Sequence, residues 1–93
     1  MPTPDRFAAL EFSPTFFRSF ASEDFSTADR NQFLKALILL DQNEKHPSLR
    51  VHALEGNLDG LWSASASSSL RMTFTRLDGG RKLMLTCSRH YDR

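Results

Sequence analysis

Cysteine occurs once in this chain, at Cys87, so no disulfide within the chain can compensate for a small core. A single thiol, with no leader-like apolar segment at the start, leads to the expectation of a cytoplasmic protein. No apolar run approaches the ~20 residues of a membrane-spanning helix, so a soluble chain without a membrane partner is expected. Glycine and proline are sparse, at four each, and no repeat or Gly/Ser-rich linker divides the sequence. One domain covering residues 1–93 follows. Walker loops, GxSxG, CxxC and HExxH are all missing, which removes the common nucleotide-hydrolysing, serine-nucleophile, redox and zinc-protease classes. No cofactor and no metal are expected.

An excess of one charge is missing as well: twelve basic residues face eleven acidic ones, for a net charge of +1. That is weak for a nucleic-acid binder, which usually neutralises phosphates with a clear surplus of Lys and Arg. The charges are unevenly distributed, however. Residues 49–93 carry seven basic against four acidic residues, and residues 1–48 carry five against seven. The positive field therefore lies on the second half.

What the chain does have is 40% hydrophobic residues, eight of them Phe, enough for a single core. Phe7–Phe12 reads as a short first strand. Ser13 caps a helix with Pro14 at its first position, on which Phe16, Phe17 and Phe20 recur at helical spacing and face the core. Ser26 or Thr27 opens a longer helix over 28–41 whose stripe is Phe33, Leu34, Leu37, Ile38 and Leu40. His46-Pro47 lies just past its end. From Leu49 the period becomes two, and Arg50, His52 and Leu54 share one side of an extended segment. Strands over 61–66, 70–77 and 81–89 follow, separated by the Ser67-Ser68-Ser69 turn and the Asp78-Gly79-Gly80 hairpin signal. The fold expected is α+β: an N-terminal strand and two helices packed on one face of a mainly antiparallel sheet of four to five strands.

The chemistry-bearing residues gather in the second half. Cleaving RNA without a metal needs a base for the ribose 2′-OH, cations for the phosphorane and an acid for the departing 5′-oxygen. Histidine suits either proton transfer, and the planar guanidinium of arginine suits the phosphate. His90, in the polar ending Cys87-Ser88-Arg89-His90-Tyr91, is the first candidate for proton transfer, and His52 is the second. In Leu70–Phe74, alternation sends Leu70, Met72 and Phe74 to the helices and leaves Arg71 and Thr73 on the open face. Arg50 and Arg89 offer further phosphate contacts, and Tyr91 a surface for stacking a base. Each has a plain structural alternative. His90 also reads as a surface histidine, His52 as an edge histidine, the arginines as solvated and Tyr91 as cover for the core. Trp62 reads as cover for the sheet and Cys87 as a buried thiol.

The segments His46–Gly56, Gly60-Leu61-Trp62-Ser63, Leu70-Arg71-Met72-Thr73-Phe74 and Cys87–Tyr91, in this order and spacing, resemble the RelE/ParE superfamily of bacterial toxins. The likeness is greatest to the RelE-, YoeB- and YafQ-type mRNA interferases. It implies the toxin of a type II toxin–antitoxin pair: a metal-independent, ribosome-dependent endoribonuclease that cuts mRNA and is masked by a cognate antitoxin. By position, Arg71 matches the arginine that stabilises the transition state, His90 the terminal general acid and Tyr91 the tyrosine after it. His52 stands where YoeB-type chains have a glutamate base and YafQ-like chains a histidine. The modest net charge is a second departure from the family. The competing expectation is a ParE-like gyrase inhibitor or an inactive relative that only binds its antitoxin. ParE-type chains generally lack the terminal histidine.

Overall fold

Ser13 starts the first helix as its sequence predicts. Its hydroxyl accepts the Phe16 N–H at 3.0 Å, and Pro14 occupies the first turn, where no intrahelical N–H is needed. In the computed structural model, which describes residues 7–89, this helix (α1, Pro14–Phe20) follows a short strand β1, Leu10–Phe12. The next helix, α2 (Thr27–Gln42), opens with a reciprocal capping box in which Ser26 and Asp29 each bind the other's backbone N–H. Strands β2 (His52–Ala53), β3 (Trp62–Ser65), β4 (Leu70–Arg76) and β5 (Lys82–Arg89) complete the chain.

The five strands form one sheet in the order β1-β5-β4-β3-β2. Neighbours pair antiparallel except β1 and β5, which run parallel. Both helices lie on one face, as expected. Alternation along β4 sends Leu70, Met72 and Phe74 into the core against Phe16, Phe33, Leu37, Leu40 and Met84, nearly all without solvent contact. Each such side chain contributes about 2 kcal/mol by leaving water.

Three polar contacts hold the helices to the sheet. The Asp41 carboxylate of α2 accepts the Ala9 N–H at 2.7 Å just before β1. Arg30 bonds the carbonyls of Phe20 and Ser22 and so fixes the α1–α2 link. β1 reaches along β5 only as far as Met84, and further on the Ser19 hydroxyl accepts the Cys87 N–H at 2.8 Å in place of a strand.

The register of β4 on β5 slips once. Thr73 faces Thr86 and Phe74 faces Met84, so Leu85 has no partner of its own. This bulge reverses the alternation of every later residue of β5. Ser13 is hooked onto it, its N–H donating to the Met84 carbonyl and its hydroxyl to that of Leu85.

Several details differ from the sequence reading. The first strand is shorter, because Phe7 to Ala9 do not pair. Phe17 and Ile38 are 47% and 39% exposed, and Ala36 takes a core place instead. The two hydrophobic stripes are narrower than their sequences suggest because each helix meets the sheet on one side only. Most consequentially, Pro47–Leu49 winds into a single 3-10 turn and Arg50 adopts left-handed geometry (φ 48°, ψ 44°). The extended segment expected from Leu49 is therefore reduced to His52 and Ala53.

Candidate functional site

The face of the sheet away from the helices is rich in hydroxyl groups. Register places His52 opposite Ser63, Ser63 opposite Thr73, and Thr73 opposite Thr86, making one row across four strands. The adjacent row is Ser65, Arg71 and Ser88. His52 and Arg71 therefore stand on the same face, two strands and two residues apart, about 12 Å between their backbones.

The 3-10 turn closes the β2 side of this face. The His46 Nδ1 accepts the Ser48 N–H at 3.2 Å and lies 2.9 Å from the Ser48 hydroxyl, capping the turn. Leu49 is buried beneath it. Arg50, the one non-glycine with positive φ among the described residues, then reverses the chain direction into β2. A left-handed residue with a Cβ costs about 1–2 kcal/mol, an expense concentrated here next to the candidate groups. Its carbonyl lies 2.7 Å from the His52 Nδ1.

Between this turn and the start of β4 lies a groove of about 540 Å³, lined by Ser48, Arg50, Ser65, Ser67, Ser68 and Arg71 among others. Arg71 is tied down at its edge, because Nη1 donates to the carbonyls of Ser67, Ser68 and Leu70 at 2.9, 3.3 and 3.3 Å. Its Nε and Nη2 donors take no partner among the described residues. No carboxylate lines the groove, so its two guanidinium groups and its serine hydroxyls make it a site for an anion. A second cavity of about 330 Å³ shares Pro47 and Arg50 with it and continues past His46 to Trp62 and Arg76.

The other cations of the sheet are neutralised elsewhere. Glu44 accepts from Arg76 at 3.0 and 2.7 Å and from the buried Lys82 at 2.9 Å. The Arg76 hydrogen bonds, aided by Lys82, hold the Glu44 carboxyl down at about 2 despite partial burial. Arg76 also stacks over Trp62 at 4.1 Å, and Trp62 in turn stacks on Phe74, so the tryptophan covers the sheet.

Arg89 does not join the anion groove. Its guanidinium bonds the Asp29 carboxylate at 2.8 Å and the Asp24 carbonyl at 2.9 Å and lies over Phe25, on the helix side. The Leu85 bulge is the reason, since unbroken alternation from Lys82 would have sent Arg89 to the open face. His90 and Tyr91 lie outside the described residues. Cys87 is buried, and that burial pushes its thiol up to about 12, so it has no thiolate for chemistry. Among the described residues no group of three His, Cys, Asp or Glu is placed to hold a metal ion. No helix is long and apolar enough to cross a membrane.

The sequence reading missed Ser48, Ser65, Ser67 and Ser68 as lining. The signal was the Ser-rich run beside Arg71, which had been read only as a turn.

No protein-family model matches the sequence, and no curated protein matches it. Solved structures do. The YoeB/ParE toxin from Agrobacterium tumefaciens superposes with a TM-score of 0.69 at 15% identity, over 89% of this chain and 99% of that one. YoeB from the Staphylococcus aureus YoeB–YefM complex gives 0.66 at 21%, over 88% and 95%. YafQ from E. coli gives 0.68 at 15%, over 86% and 90%. Two helices on one side of a five-stranded sheet, shared over nearly the full length of each, give this chain the fold of the YoeB- and YafQ-type toxins.

Proposed function

We propose that this chain is the toxin of a type II toxin–antitoxin pair, of the RelE/ParE superfamily, and that it cleaves mRNA on the ribosome in the cytoplasm. The single observation that carries the reading is the groove in which Arg50 and Arg71 meet without a carboxylate, on the sheet face that also bears His52. In this reading His52 Nε2 removes the proton from the ribose 2′-OH. The 2′-oxygen attacks the adjacent phosphorus, and Arg71, with Arg50, balances the charge on the equatorial oxygens. The P–O5′ bond then breaks, His90 protonates the departing oxygen, and a 2′,3′-cyclic phosphate remains. Tyr91 would stack on a base. Arg89 is left out, since it secures β5 to α2.

A cognate antitoxin would mask this face. The S. aureus relative is solved in complex with YefM, which supports such a partner.

The test is cell-free translation with the purified protein, mapping mRNA ends by primer extension. Cuts at ribosomal A-site codons are expected, and Arg71→Ala or His90→Ala should remove them while circular dichroism stays unchanged. Intact mRNA together with loss of DNA supercoiling by gyrase would replace this reading with the ParE-like one.

A further inference from the structure

Two histidines bracket the Pro47–Leu49 turn, and their hydrogen bonds fix them in opposite tautomers. A backbone N–H can only donate, so the His46 Nδ1 that receives it from Ser48 carries a lone pair. Neutral His46 therefore holds its proton on Nε2. A carbonyl can only accept, so the His52 Nδ1 facing the Arg50 carbonyl at 2.7 Å carries the proton. Neutral His52 therefore presents Nε2 as a lone pair.

The carbonyl reaches that nitrogen because of Arg50's main chain. In an extended strand a carbonyl lies in the plane of the sheet, and the side chain two residues on stands perpendicular to it. At φ 48° and ψ 44° the peptide plane after Arg50 is rotated, and its oxygen meets the imidazole of residue 52.

We propose that Arg50 acts as a positioning residue through its backbone: its left-handed conformation aims a carbonyl at His52 Nδ1 and leaves Nε2 as the proton acceptor. The same carbonyl keeps its hydrogen bond once the imidazole has taken up the proton, and so supports the imidazolium. The kinetic part of this inference rests on the nuclease reading; the tautomer does not.

Arg50→Gly, Arg50→Asn and Arg50→Val all remove the guanidinium, so differences among them report the main chain. Glycine and asparagine tolerate the left-handed region and valine resists it. Long-range 15N–1H correlation spectra of the ring nitrogens should show His52 protonated at Nδ1 in the wild type, Arg50→Gly and Arg50→Asn. Arg50→Val should show a mixture and cleave mRNA at least about tenfold more slowly than Arg50→Gly. If Arg50→Val fails to fold, Arg50→Ala replaces it. Should the wild type cleave nothing, the nuclease reading falls and the spectra alone decide the positioning. A wild-type His52 protonated at Nε2, or an Arg50→Val spectrum matching Arg50→Gly, would overturn the proposal.

Discussion

The Glu44 carboxylate engages both terminal nitrogens of Arg76, at 3.0 and 2.7 Å, and this joins the end of α2 to the end of β4. The same carboxylate neutralises Lys82, whose side chain is only 5% exposed. Because the folded-state carboxyl lies at about 2, below its ordinary 4.5, the contact stabilises fully above pH 4.5. That contribution fades as pH falls from about 4.5 towards 2. Glu44→Ala should lower stability at pH 7 by about 2 kcal/mol, partly by leaving Lys82 buried without its partner. Urea denaturation at pH 7 and pH 3 checks this, since the variant should lose less stability between the two than the wild type does.

Phe33 and Phe17 separate the buried from the exposed aromatic positions. Phe33 is fully enclosed and Phe17 is 47% exposed. Phe33→Ala should cost about 3–5 kcal/mol through lost burial and the cavity left behind. Phe17→Ala should cost about 1 kcal/mol or less. Thermal unfolding of the two variants side by side measures the difference.

Ser19 stands in for a missing strand partner. Ser19→Ala leaves the Cys87 N–H without its acceptor on the partly covered side of β5, with an expected loss of about 1–2 kcal/mol. Hydrogen exchange at the Cys87 amide should accelerate more than at Met72, its partner within the sheet.

Cys87 should be chemically silent in the folded protein. With its thiol held near 12 by burial, the thiolate fraction at pH 8 is about one in ten thousand. Alkylation by iodoacetamide should run at least about a hundredfold more slowly than in urea-unfolded protein. Comparable rates would contradict the burial.

Arg71 offers a test of geometry rather than charge. Arg71→Lys keeps the positive charge but loses the planar fork, whose Nη1 is tied to the turn carbonyls. If the nuclease reading holds, cleavage in this variant should fall to about 1% of wild type, followed by mRNA end mapping. Near-normal cleavage would mean that charge alone suffices.

Much of this was legible in the sequence. Ser13-Pro14 and Ser26 with Asp29 marked both helix starts, and the alternation of Leu70–Thr75 assigned Arg71 to the open face. These signals are local, set by neighbours within a few residues. The left-handed turn at Arg50 has no such signature, because nothing in an arginine announces positive φ; packing of Leu49 and the cap from His46 accompany it instead. Arg89 was misplaced for a related reason. A bulge is a property of two strands in register, and alternation counted along one strand does not reveal it.

The unpaired Leu85 gives the last strand its handedness relative to the body. A chain shortened by that one residue would keep every other amino acid and still turn the remainder of the strand over. The Cys87 thiol would meet water, Ser88 would point at the apolar interior, and Arg89 would lose Asp29. Gaps and insertions at this position in related sequences should therefore be rarer than any substitution there.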